Sequence, residues 1–129
     1  MEVALRAALI AWLAADPALT ATLNTVAEEA PSRTALPWLA IAASASADWS
    51  TKERAGREVR IALELNCRGD RPDTAATLVA AIERRISTLP PGQPGFRVVT
   101  MQFLRARAEQ RPANTRAILI EYRFRVLSD

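Results

Sequence analysis

Period-two alternation is clearest between Glu58 and Cys67. There Val59, Ile61, Leu63, Leu65 and Cys67 are apolar, and Glu58, Arg60, Glu64 and Asn66 stand among them. This pattern predicts a strand with one buried face and one wetted face. The segment "RAILIEYRFRV" (116–126) alternates in the same way, with Ile118, Ile120, Tyr122, Phe124 and Val126 on one side. Two further runs, "PWLAIAASA" (37–45) and "FRVVTMQFLRA" (96–106), read as strands. The polar stretches "SADWSTKERAG" (46–56) and "RAEQRPANT" (107–115) read as the loops that close two hairpins.

Two segments follow the helical period instead. Leu5, Leu9, Trp12 and Leu13 recur at spacings of three and four, with Glu2, Arg6 and Asp16 elsewhere. Asp16-Pro17 ends this helix or starts a short second turn, because proline disfavours helical backbone in the residue before it. Weaker helical character continues to about Leu23, and residues 24–37 read as connection. In "DTAATLVAAIERRISTL" a second stripe is formed by Leu78, Ile82, Ile86 and Leu89. Pro72 suits its first turn, Asp70 or Asp73 supplies a cap, and "LPPGQPG" breaks it off.

The resulting order is α-β-β-α-β-β in one domain of 129 residues. The fold class is α+β, a mainly antiparallel sheet with two helices packed on one face, because the two best strands each carry a single apolar face. The other face bears Arg60, Glu64, Glu121, Arg123 and Arg125, which must meet water or another subunit.

Between strand and helix stands Arg68-Gly69-Asp70, a tripeptide known from cell adhesion. Its position explains it more simply: glycine gives backbone freedom at a corner and an aspartate is available to cap the helix that follows.

Composition narrows the chemistry. There is no histidine, which removes the commonest general base and metal ligand, and one cysteine excludes an internal disulfide. Cys67 belongs to the apolar set of its strand and reads as a structural thiol. The four glycines form no phosphate-cradling motif, Glu28-Glu29 are neighbours that point apart, and Ser50 with Lys52 is too short a pattern to define a nucleophile. No enzyme, cofactor or metal is expected. Glu2 and Arg6 interrupt the N-terminal apolar run, so it does not read as a secretory signal, and the expected setting is intracellular.

Charge adds one feature. Sixteen arginines accompany a single lysine, Lys52, and seven of them lie between Arg97 and Arg125 against only Glu109 and Glu121. Arg105, Arg107, Arg111 and Arg116 surround one hairpin loop, where they could meet an acidic surface or a phosphate backbone. No sequence-reading motif accompanies them, so any nucleic-acid binding would be non-specific. Trp49 is a tryptophan in a polar loop, and with Lys52 and Arg54 it is a candidate partner contact.

The order and spacing of these segments resemble the tail-completion, or tail-terminator, family of long-tailed phages, prophages and gene transfer agents. The resemblance spans nearly the whole chain. It rests on "VALRAALIAWLAADPALTATL", on "VAEEAPSRTALPWLAI" with Ala30-Pro31 and Pro37-Trp38, on "GREVRIALELNCRG" from Gly56, on the helix start "DTAATLVAAI", and on the closing hairpin. Trp38 stands where many relatives have tyrosine. The resemblance implies a hexameric ring that caps the tail tube, contacts tail-tube and head or neck proteins, and becomes part of the particle tail after assembly in the cytoplasm. It implies no membrane partner. A neck or head-tail connector adaptor of the same particle is the alternative within this class, and a non-specific nucleic-acid-binding module the alternative outside it.

Overall fold

The computed structural model describes residues 1–129. Its elements are α1 (Glu2–Ala14), the four-residue helical turn α2 (Pro17–Thr20), β1 (Val26–Ala27), β2 (Trp38–Asp48), β3 (Gly56–Arg68), α3 (Pro72–Ser87), β4 (Gly92–Gln93), β5 (Phe96–Arg111) and β6 (Thr115–Ser128). They build an α+β fold around one six-stranded sheet in the order β1-β2-β3-β6-β5-β4. All neighbours are antiparallel except the short β1–β2 pair.

The alternation of β3 and β6 decides where the core lies. Val59, Ile61, Leu63, Leu65 and Cys67 share one buried cluster with Ile118, Ile120, Tyr122, Phe124 and Val126. Leu5, Leu9 and Leu13 of α1 and Leu78, Ile82 and Ile86 of α3 close over this inner face. Fully burying a leucine or isoleucine is worth about 1.5–3 kcal/mol, so these paired stripes dominate the stability. Burial also pushes the Cys67 thiol up from its ordinary range, as suits a structural cysteine.

Helix boundaries follow their local chemistry. Asp16 accepts a hydrogen bond from the Ala18 amide at 3.0 Å and caps α2. Pro72 occupies the first turn of α3, as expected, but neither aspartate caps it. The N-cap residue is Arg71, without a side-chain cap bond, and Asp73 stands in the first turn, where its charge suits the helix dipole. Asp70 pairs instead with Arg68 at 3.6 Å.

The tripeptide corner is built by a close approach. Gly69 donates to the Asn114 carbonyl at 2.7 Å, and a Cβ at Gly69 would lie 2.8 Å from Asn114 Oδ1. The corner after β3 is thereby docked on the turn between β5 and β6.

Three boundaries differ from the reading of the sequence. β2 runs to Asp48, so the loop after it is only 49–55. β5 runs to Arg111 and β6 starts at Thr115, which reduces the expected loop 107–115 to a turn at 112–114. Ala113 and Asn114 there have φ of 60° and 55°. The register also shifts at Val98/Thr100 and Phe103/Arg105, and these bulges keep Met101 and Phe103 on the inner side of the longer strand.

Candidate functional site

The outer face of the sheet is a lattice of charge set by strand register. Glu58 of β3 lies beside Arg125 of β6, Arg60 beside Arg123, and Ala62 beside Glu121. On the far side of β6, Arg125 is flanked by Thr100 of β5, Arg123 by Gln102 and Glu121 by Arg105. Period two places all of these on one side of the sheet.

Most of these charges are paired. Arg105 holds Glu121 through two hydrogen bonds, at 2.9 and 3.2 Å. This fork keeps the Glu121 carboxyl below the usual carboxylate range and raises Arg105. Arg111 bridges Glu109 at 3.0 Å and Glu64 at 3.1 Å, and Arg107 reaches Glu109 at 3.2 Å. Glu58 receives Arg125 at 3.0 Å and Arg123 at 3.8 Å. Arg123 also donates to the Gln102 side-chain carbonyl.

Two atoms of the face lack a hydrogen bond, one of them 3.8 Å from Glu58. The Nε of Arg123 and the Nδ2 of Asn66 are buried without a hydrogen-bond partner. Arg60 is exposed, lies beside Arg123 and makes no ion pair, so positive charge is left over in the middle of the face.

The structure therefore merges two sets of residues that the sequence kept apart. Arg105 and Arg111, expected around a loop, lie on β5 and pair with Glu121 and Glu64 of the wetted face. Arg107 is likewise a strand residue. Arg116 is half-buried at the start of β6, with its guanidinium 3.5 Å from the Gly69 carbonyl. Glu109 and Gln102 complete the lattice and were not singled out from sequence. The signal for both is the alternation of "QFLRARAEQR", which the Leu104 bulge puts out of phase.

The 49–55 loop is compact. Ser50 Oγ donates to Asp48 at 2.7 Å and accepts from the Gly56 amide at 3.0 Å, so it closes the loop. Thr51 accepts from the Arg54 amide at 3.0 Å, leaving Lys52 and Arg54 exposed at the tip. Trp49 is half-buried, and its ring lies 5.6 Å from the Arg125 guanidinium carbon.

The two loops lie at opposite ends of the sheet. β3 begins at Gly56, next to the 49–55 loop and paired with Leu127, and ends at Arg68, paired with Thr115 beside the 112–114 turn. Its 13 residues span about 40 Å at 3.3 Å per residue. One end presents Lys52 and Arg54; the other presents the β5–β6 turn with the corner at Gly69.

The chain is a small α+β module with a charged sheet face and distinct loop ends. Among solved structures, a chain of the "Virion of native gene transfer agent (GTA) particle" has this architecture. It matches with a TM-score of 0.77 at 27% identity, over 97% of this chain and 96% of its own length. No curated protein matches the sequence. The chain belongs to the family described as "Tail completion protein gp17", whose model matches residues 7–127. It is a structural protein of a phage-like tail.

Proposed function

We propose that copies of this chain form a ring, hexameric as the family resemblance implies, that caps the tail tube and joins it to the head or neck. The observation that carries this reading is the separation of the two loop ends by the full length of β3. An adaptor needs two unlike contact surfaces, and loops on a rigid scaffold supply them. The gene transfer agent virion chain of the same fold supports a place in such a particle.

Non-specific nucleic-acid binding is less well supported. Arg105, Arg107 and Arg111 are each engaged by glutamates, so releasing them to phosphates would break existing pairs. A neck connector of the same particle would also need two unlike ends, and tail length separates the two roles. On this reading, loss of a cap is expected to give overlong tails, and loss of a connector tails of normal length without heads.

The molar mass in solution tests the ring. Light scattering across concentration and salt, alone and with the tail-tube protein of the same particle, is expected to give a mass near six chains in at least one condition. A monomer that persists with tube protein present overturns it.

A further inference from the structure

Both edges of the sheet are open. β1 covers β2 only at Leu39 and Ala40, so Ile41–Asp48 has no strand on its outer side. β4 and the residue before it cover β5 only at Phe96, Arg97 and Val98, whose amide donates to the Pro91 carbonyl, which leaves Val99–Arg111 uncovered. Native sheets normally blunt such edges with charge, proline or a covering element. β5 carries Arg105, Arg107 and Arg111, but Ala42–Ala47 of β2 reads AASASA, with one bulge at its start and neither charge nor proline.

We infer that these edges are the two halves of one subunit interface, with β5 of one copy pairing to β2 of the next. The inference rests on the ring reading and gives it a contact. β2, β3, β6 and β5 alternate in direction, so the two edges run oppositely. A neighbour placed by rotation about an axis along the strands therefore brings its β2 antiparallel to β5, and the ladder continues across the boundary. The contact is heterologous and repeats from copy to copy until the rotation closes.

Side chains select this pairing over two alike edges. Two β5 strands brought together would set two net-positive edges against each other, since Arg105, Arg107 and Arg111 outnumber Glu109 on that face, and like charges opposite one another are unfavourable. β2 offers only the small Ala43, Ala45 and Ala47 on the outer face under those arginines, and its acids Glu2, Glu28 and Asp48 lie on the helix side, held by Arg57 and Arg6. The exposed large hydrophobic residues divide in the same way. Val99 and Phe103 lie on β5, while Val3 lies between Glu2 and Arg6, whose side chains bond Ser46 and Ser44 of β2.

Cysteine cross-linking tests the pairing in the full chain, with tail-tube protein added if assembly needs it. In a Cys67→Ala background, Ala45→Cys is combined with Arg105→Cys or Arg107→Cys, all on the outer face. Oxidation is expected to give a ladder of covalent oligomers for at least one pair, and none for Ala45→Cys alone. A second variant, Ala45→Lys, is expected to raise the concentration needed for assembly at least about tenfold while the circular dichroism stays native.

Dimers from Ala45→Cys alone, or a six-chain mass without a ladder from either pair, overturn the edge pairing and leave the ring intact. A ladder in open filaments supports the pairing and overturns the closed ring. A monomer under every condition overturns both.

Discussion

Trp12 and Arg85 exchange hydrogen bonds across the two long helices. The indole Nε1 donates to the Arg85 carbonyl and the Arg85 Nε donates to the Trp12 carbonyl, both at 2.8 Å. The guanidinium carbon also lies 3.5 Å from the indole centroid. Both residues sit near the C-terminal ends of their helices, where a cation is favoured; the Arg85 carbonyl also accepts from the Thr88 amide and hydroxyl.

Arg85→Ala is expected to lower stability by about 1.5–3 kcal/mol, since it orphans the Trp12 carbonyl and removes the cation from the ring. Arg85→Lys should recover less than half of that, because an ammonium does not reproduce the planar stack. Urea unfolding with an unchanged m-value reads the difference. A wild-type midpoint for Arg85→Ala would contradict it.

Gly56 closes the loop that carries Trp49. A Cβ there would lie 2.4 Å from the Trp49 carbonyl oxygen and 2.7 Å from Leu127 Cδ2. Gly56→Ala is expected to cost about 2–4 kcal/mol, because a backbone oxygen must move. Gly92→Ala is the control: nothing lies within 4 Å of its Cβ position, and thermal unfolding should stay near wild type.

Ala113 holds a left-handed conformation, φ 60°, in the turn between β5 and β6. Asparagine tolerates this region, as Asn114 does beside it, but alanine is strained there. Ala113→Gly is expected to stabilise the protein by up to about 1 kcal/mol, and a lower unfolding midpoint would refute the assignment.

Tyr122 is the single tyrosine, and its hydroxyl is pushed up to about 12, first by burial and then by Glu83. The folded chain therefore keeps this proton at a pH where the unfolded chain has lost it. Stability from this group is complete below about pH 10 and falls by about 2–3 kcal/mol as pH rises to about 12. Tyrosinate absorbance should titrate near the upper value in the folded protein, and Tyr122→Phe should flatten that part of the stability profile.

Alanine at Trp49, Arg107 and Arg111 together should leave circular dichroism native and impair tail capping. The residues belong to different regions, so separate variants should fail differently. One should interrupt contact at the loop end, and the other the lattice on β5. Wild-type particle assembly in the triple variant would remove these residues from the interaction surface.

Much of this architecture was legible in the sequence because burial is written at a fixed period. β3 and β6 keep strict alternation, and α1 and α3 keep their stripes. β5 hid its length for a physical reason. Bulges at Val99 and Leu104 shift the phase twice, and "RARA" sets small residues, not large ones, on the inner side. The last residues of β2, 46–48, were hidden likewise, since Ser46 faces Glu2 of α1 instead of an apolar partner. β1 and β4 are main-chain pairings of two residues each, too short for side chains to announce. The charged residues of the outer face could be named from alternation, but their pairing across β3, β6 and β5 needed the register.

The unbroken run of β3 from Gly56 to Arg68 acts as a gauge block. Whatever docks at its two ends is held apart by covalent geometry and ladder hydrogen bonds, which yield far less than side chains do. Thickness then changes in steps: one residue added to β3 either turns every following side chain to the opposite face or is absorbed as a bulge, as in β2 and β5, so a lengthening that keeps the ladder regular takes a matched residue pair of about 6.6 Å.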